Sequence, residues 1–148
     1  MKKTLRKETI AAMKQLPESV KTQADEELTQ RLLELPAFQE AKTLATYLSF
    51  DHEVSTASLI QAALQLGKRV CVPRTYPQGR MEFVEYDPNI LEKTRFGLLE
   101  PNEKGKLVDQ SEIDLIHVPG VVFQSKGYRI GYGGGYYDRY LADFTGKT

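Results

Sequence analysis

The segment Thr43-Leu44-Ala45-Thr46-Tyr47-Leu48-Ser49 is followed by Thr56-Ala57-Ser58-Leu59-Ile60-Gln61-Ala62-Ala63-Leu64-Gln65-Leu66, then by Lys68-Arg69-Val70-Cys71-Val72. The first and third pieces are short, apolar and rich in β-formers, as buried strands are. The middle piece carries helical spacing, with Ser55 or Thr56 available as an N-terminal cap and Gly67 placed to stop it. Pro73 is expected to end the second strand. A strand, a helix and a strand in this order predict a parallel crossover and hence an α/β fold.

Working outward, two helices are expected ahead of this unit. Leu5, Thr9, Ala12 and Leu16 share one face, and Pro17 closes that helix. Val20, Ala24, Leu28, Leu32 and Leu35 form an apolar stripe on the second, which Pro36 ends. Downstream, Pro77-Gln78-Gly79 marks a turn before a strand at Met81–Tyr86. The polar stretch from Asp87 to Ser111 predicts irregular structure with a short helix near Ile90–Lys93. Ile113–Val118 reads as the last clear strand. A long loop, Pro119–Gly135, then leads into a helix from Tyr136.

The chain has 148 residues, and 41% of them are hydrophobic and 27% charged, the balance of a globular domain. Twenty basic side chains face twenty acidic ones. No broad basic field is therefore available for nucleic acid, and an anion site has to be built locally. The lone Cys71 has no disulfide partner and no zinc spacing, and is expected buried on its strand. No apolar run approaches the roughly 18 residues of a membrane span, and the basic start has no apolar segment behind it. The expectation is a cytoplasmic protein that binds neither membrane nor nucleic acid.

The densest chemistry lies in Gly127-Tyr128-Arg129-Ile130-Gly131-Tyr132-Gly133-Gly134-Gly135-Tyr136-Tyr137-Asp138. Glycine lets backbone amides approach a ligand, and the following helix offers unpaired N–H groups to an anion. Arg129 can add a charge-assisted hydrogen bond. Asp138, one turn into the helix, can hold Mg²⁺ against phosphate oxygens, since magnesium takes one or two carboxylates and keeps waters. Two look-alikes fail. A dinucleotide fingerprint would need glycine where Tyr136 stands, and a P-loop ending at Gly146-Lys147-Thr148 would need it at Leu141.

This stretch, with Pro119-Gly120 before it, resembles the signature of the 5-formyltetrahydrofolate cyclo-ligases, also called methenyltetrahydrofolate synthetases. Lys2-Lys3-Thr4-Leu5-Arg6-Lys7, Tyr47 through Thr56, and Val72-Pro73-Arg74 are similar to the same family and occur in the expected order. The resemblance implies a single α/β domain with an open, mostly parallel sheet flanked by helices and two helices at its start. It implies a ligase that uses ATP and Mg²⁺ to convert 5-formyltetrahydrofolate into 5,10-methenyltetrahydrofolate, releasing ADP and phosphate through a phosphorylated formyl imidate. ATP would be bound by Lys2, Lys3, Thr4, Leu5, Arg6, Arg74 and the run Arg129, Ile130, Gly131, Tyr132, Gly133, Gly134, Gly135, Tyr136 and Tyr137. Arg129, Lys2 and Arg6 would act on the transferred phosphoryl group. The folate would meet Leu48, Glu53, Tyr132, Gly133, Gly134, Gly135 and Tyr136, with Glu53 accepting from the pterin's N–H groups. Asp138 would ligate Mg²⁺, and a monomer is expected. The family pattern also carries a further strand and a second acidic magnesium ligand, so a domain without that strand and tail is expected here.

Three residue-level readings stay open. Tyr137 and Tyr140 can pack the last helix onto the sheet as well as meet a ligand, and packing is favoured for Tyr140. His52 and His117 show no ligand spacing and read as structural or surface residues, although His52 can edge the folate pocket. Two other functions compete: an ATP-sensing module without a folate site, and an RNA-stacking surface, against which the zero net charge argues.

Overall fold

The computed structural model describes residues 2–50, 52–93, 99–120, 122–123, 129–131 and 136–148. Tyr132, Gly133, Gly134 and Gly135 lie outside the described residues, so the expectations placed on them stand apart from the geometry below.

Helices α1 (Lys2–Lys14) and α2 (Glu18–Glu34) open the chain, with Pro17 extended between them. The inward face of α1 is not the expected one. Leu5 and Leu16 are 43% and 47% exposed, while Arg6, Thr9, Ile10 and Met13 are the partly covered residues. Pro36 does not simply end α2. It starts a short helix, α3 (Pro36–Glu40), at the position where its missing N–H costs nothing. Phe38 of α3 is buried.

Strand β1 (Thr43–Ala45) pairs in parallel with β2 (Arg69–Tyr76), and α4 (Ala57–Gln65) connects them. The stop of α4 is the expected one. Gly67, at φ +78°, donates to Leu64 O at 3.0 Å, and Lys68 N donates to Ala63 O at 3.0 Å. These two bonds satisfy carbonyls that the helix end would leave orphaned. The start differs: Thr56 makes no side-chain capping bond to α4.

Pro73 does not end β2, which continues to Tyr76. Val70 O accepts from Tyr86 N and Cys71 O from Thr46 N, so amides at odd positions turn toward β1. Pro73 therefore faces past the end of β1 at Ala45, where no ladder bond is lost. After a turn at Pro77–Gly79, β3 (Arg80–Glu85) pairs antiparallel with β2. The helix expected near Ile90–Lys93 is instead a 3₁₀ turn at Pro88–Ile90 followed by β4 (Leu91–Lys93). Strand β4 pairs antiparallel with β5 (Leu99–Pro101). Strand β6 (Leu107–Val108) then joins β3, and β7 (Leu115–Ile116) lies parallel to β1. The segment expected as a long loop holds a small antiparallel pair, β8 (Val122–Phe123) and β9 (Arg129–Ile130), before α5 (Tyr136–Leu141).

The five-stranded sheet has the order β6-β3-β2-β1-β7, with β2, β1 and β7 forming its parallel part. Successive side chains alternate between two cores, as the pleat demands. Leu44, Val70 and Leu115 face Phe38, Leu59, Ile60 and Ala63. Their sequence neighbours Ala45, Cys71 and Ile116 join Phe83, Val108 and Ile113 on the other side, where Tyr137, Tyr140 and Leu141 of α5 cover them. The open α/β sheet between helical layers, with two leading helices, is thus as expected. Cys71 is fully buried and its thiol is pushed up to about 12 by that burial. Beyond α5 the chain returns to β7: Lys147 bridges Leu115 in parallel, and Ile116 N donates to Lys147 O at 2.9 Å.

Candidate functional site

The carboxyl ends of β1 and β7 open into a cavity of about 350 Å³. Such crevices, where parallel strands end and connections diverge, are the usual ligand sites of open α/β sheets. Its floor is Tyr47, just past β1, and His117 and Val118, just past β7. Glu53, Val54, Ser55 and Thr56 come from the β1–α4 connection, and Leu59 from α4. Leu28 and Leu32 of α2 and Leu35 at its C-terminal cap form an apolar wall, completed by Met13 of α1. The exposure of Leu28 and Leu35, 47% and 49%, follows from this: half of the α2 stripe lines an open cavity and does not enter the core.

Glu53 is held inside by its own connection. Its Oε1 accepts from Phe50 N at 2.8 Å, its N–H donates to Phe50 O at 3.0 Å, and the residue is only 5% exposed. Thr56 braces the same turn by donating to Tyr47 O at 2.6 Å while Ser49 N donates to its hydroxyl. That use of the Thr56 hydroxyl explains why it does not cap α4. A carboxylate four residues past an apolar strand reads in sequence as a surface acid, yet here it is buried beside aromatic and aliphatic walls. Leu48 packs onto the Leu44–Leu59 core next to this turn. His52 stacks on Phe50, with ring centroids 5.5 Å apart.

His117 sits beside Tyr47, with centroids 5.1 Å apart, and its Nδ1 lies 3.0 Å from the hydroxyl of buried Thr46. Burial pushes its pKa down to about 4, which keeps the ring neutral. Burial and the Glu53 carboxylate raise the Tyr47 phenol. Sequence reading took His117 as structural or surface and gave Tyr47 and Met13 no site role; the pairing of β1 with β7 brings His117 beside Tyr47, and α1 brings Met13 to the same cavity.

The residue that opens the glycine run meets α1 at Arg6. Arg6 Nε donates to Gly131 O at 2.6 Å, joining two elements 125 residues apart. Arg129 folds back over the following helix. Its NH1 donates to Pro119 O at 3.1 Å, its NH2 meets Asp138 Oδ1 at 3.2 Å, and its guanidinium lies 5.8 Å from the Tyr137 ring centroid. A Cβ on Gly131 would come within 2.8 Å of Arg129 NH1, so a side chain there would displace the end of that guanidinium. The Asp138 side chain is 83% exposed, an open carboxylate with one oxygen on arginine. Tyr137 and Tyr140 both pack edge-on against Phe83, at 6.3 and 5.1 Å. The Tyr137 hydroxyl is buried with no hydrogen-bond partner among the described residues, and burial raises its pKa.

One expected site residue, Arg74, stands apart from the cavity. Arg74 is tied into the sheet, its Nε donating to the Tyr76 hydroxyl, NH1 to Asn102 O, and NH2 paired with Glu82 at 3.4 Å. Lys2, Lys3, Thr4 and Leu5 are exposed on α1. Among the described residues no cluster of three His, Cys, Asp or Glu forms a metal cage. No helix among them is long and apolar enough to cross a membrane.

A sequence model of the 5-formyltetrahydrofolate cyclo-ligase family matches residues 1–148. The chain belongs to the 5-formyltetrahydrofolate cyclo-ligase family. It is 36% identical to the 5-formyltetrahydrofolate cyclo-ligase of Haemophilus influenzae over 130 residues, covering 85% of this chain and 70% of that protein. Against the Escherichia coli K12 cyclo-ligase it is 36% identical over 118 residues, 77% of this chain and 65% of that one. The NMR structure of Aquifex aeolicus 5,10-methenyltetrahydrofolate synthetase superposes with a TM-score of 0.84 at 32% identity, covering 99% of this chain and 75% of that one. The match to the probable cyclo-ligase of Caenorhabditis elegans, 37% identical, spans 61% of that relative's length. The cyclo-ligase resemblance read from the glycine run is therefore borne out at the level of family and fold.

Proposed function

We propose that this cyclo-ligase family member converts 5-formyltetrahydrofolate to 5,10-methenyltetrahydrofolate with consumption of ATP. The observation that carries the reading is the double role of one face of α1. Arg6 reaches the glycine-rich end, and Met13, seven residues on, lines the cavity that holds Glu53. Two helical turns, roughly 10 Å, separate the two contacts. In this reading an anion cradle at the glycine run and a pocket for a flat ring lie side by side, as transfer of a phosphoryl group to a bound folate needs.

In this reading the pterin enters the cavity between the α2 leucines and Tyr47, and Glu53 accepts from its amino and ring N–H groups. The phosphates of ATP lie along the glycine run, with Lys2, Arg6 and Arg129 compensating their charge. Phosphoryl transfer asks mainly for position and charge stabilisation. The formyl oxygen attacks the γ-phosphorus, and ADP leaves. N10 then attacks the activated carbon and loses its proton, phosphate departs, and the five-membered ring is closed. Asp138 offers an exposed oxygen of the kind Mg²⁺ takes, with waters and phosphate oxygens to complete the shell. When bound there, the ion would neutralise charge on the transferred group. Arg129 holds that carboxylate at the mouth of the glycine run.

The test is product formation, read from the near-ultraviolet absorbance of the methenyl compound after mixing protein, MgATP and 5-formyltetrahydrofolate. A signal that needs all three and is lost in Arg129→Ala supports the reading. ATP binding without folate binding or turnover would overturn it in favour of a nucleotide-sensing module.

A further inference from the structure

Thr46 and His117 together fix a tautomer at the cavity wall. Thr46 is fully buried at the end of β1, and its hydroxyl has one hydrogen-bond partner among the described residues, His117 Nδ1 at 3.0 Å. A hydroxyl carries one hydrogen to donate, and a neutral imidazole has one donor nitrogen and one acceptor nitrogen. If Nδ1 carried the proton, the threonine hydrogen would be buried with nothing to receive it. The satisfied arrangement has the hydroxyl donating to Nδ1, which places the ring proton on Nε2. Low basicity caused by burial keeps the ring in this neutral form at ordinary pH. His117 lines the cavity, and Tyr47 packs along its ring and fixes its plane.

Beside Thr29, Arg31 and Ser55, the cavity lining includes two polar groups of opposite sense. Glu53, buried in the β1–α4 connection, is an acceptor, and His117 Nε2–H is a donor. Around them the lining is largely apolar: Met13, Leu28, Leu32, Leu59 and Val118. A ring that meets both groups carries an N–H donor and a carbonyl acceptor, which a 2-amino-4-oxo pyrimidine supplies. We propose that His117 is a specificity-determining residue that reads the 4-oxo group of the bound ring by donating from Nε2, and so rejects rings carrying a 4-amino group. This deepens the folate reading of the cavity and rests on it.

The experiment is calorimetric binding of 5-formyltetrahydrofolate and of its 4-amino counterpart, which requires no turnover. The wild-type protein is expected to favour the 4-oxo compound by roughly tenfold or more, since a donor facing a donor leaves both unpaired. His117→Leu should bring that ratio toward one. His117→Gln, which keeps an N–H donor, should retain part of it. Thr46→Val, which frees the tautomer, should lower the ratio while leaving His117 in place. ATP binding and the unfolding midpoint of each variant serve as folding controls. Equal binding of the two compounds by the wild type, or an unchanged ratio in both His117→Leu and Thr46→Val, would overturn the assignment of His117 alone. Failure of the wild type to bind either compound would overturn the folate reading itself.

Discussion

Arg6 on α1 donates through Nε to the main-chain oxygen of Gly131, at 2.6 Å and across 125 residues of sequence. The bond spends a charged donor on backbone, so its role is to hold the glycine run against the first helix. Hydrogen bonds to charged groups contribute about 1.5–3 kcal/mol. Arg6→Ala is expected to raise the KM for ATP by roughly 10- to 100-fold, following that range. Arg6→Lys should recover only part, because an ammonium lacks the planar fork. ATP saturation curves at fixed folate check this.

Asp138 and Arg129 form an exposed pair at 3.2 Å, and exposed pairs contribute about 0–1 kcal/mol to stability. Asp138→Asn should therefore leave the unfolding midpoint nearly unchanged. If Asp138 serves magnesium, the same variant should need markedly more Mg²⁺ for half-maximal rate. Titrating Mg²⁺ at constant ATP, beside a thermal melt, separates the two effects.

Glu53 faces the cavity from a turn in which its Oε1 accepts the Phe50 amide. Glu53→Gln keeps an oxygen for that amide and removes the charge. The expected outcome is a rise of roughly 10-fold or more in the KM for 5-formyltetrahydrofolate, the scale of one charged hydrogen bond, with the KM for ATP little changed. Initial rates against each substrate provide the check.

His117 titrates at about 4 in the folded protein against 6.5 for an unperturbed side chain, and burial is the cause. Above the unfolded value both states are neutral and the shift costs nothing. As pH falls through this window the unfolded chain binds a proton that the folded one refuses, so stability declines with acidification. The decline amounts to on the order of 3 kcal/mol once the pH is below the folded value. Denaturant unfolding followed across that pH range should show a shallower acid limb in His117→Gln.

The two leading helices, the β1–α4–β2 unit, β3, β7 and α5 were legible because they rest on local signals. Gly67 stops α4 with the expected geometry, and the alternation of Leu44 with Ala45 places β1 between two cores. What escaped the sequence depends on partners far along the chain. Pro73 looks like a strand terminator until β1 is seen to end beside it. Leu5 looks like the inward residue of α1, but the helix is phased by Arg6 and Met13, one drawn to a backbone oxygen and the other to a cavity. Arg129 and Asp138 were singled out from the glycine-rich stretch and the helix after it, whereas the place of His117 became visible only once β7 was laid beside β1. Arg74, by contrast, is occupied by Tyr76, Asn102 and Glu82, an arrangement that only the hairpins create.

Helix α1 has no fully buried side chain along its 13 residues. An element without a buried anchor belongs to the low-stability end of a fold, where local opening costs least. Ligand affinity is reduced by the fraction of time a binding element is undocked, whatever its contacts when in place. Substitutions that touch nothing should then act at a distance: Ala11→Gly, on the exposed side of α1, would lower helicity by about 1 kcal/mol. It should weaken nucleotide binding in proportion and speed amide hydrogen exchange along α1, while exchange in β1 and β2 stays slow. The first helix would thus set affinity through its conformational entropy as much as through the arginine it carries.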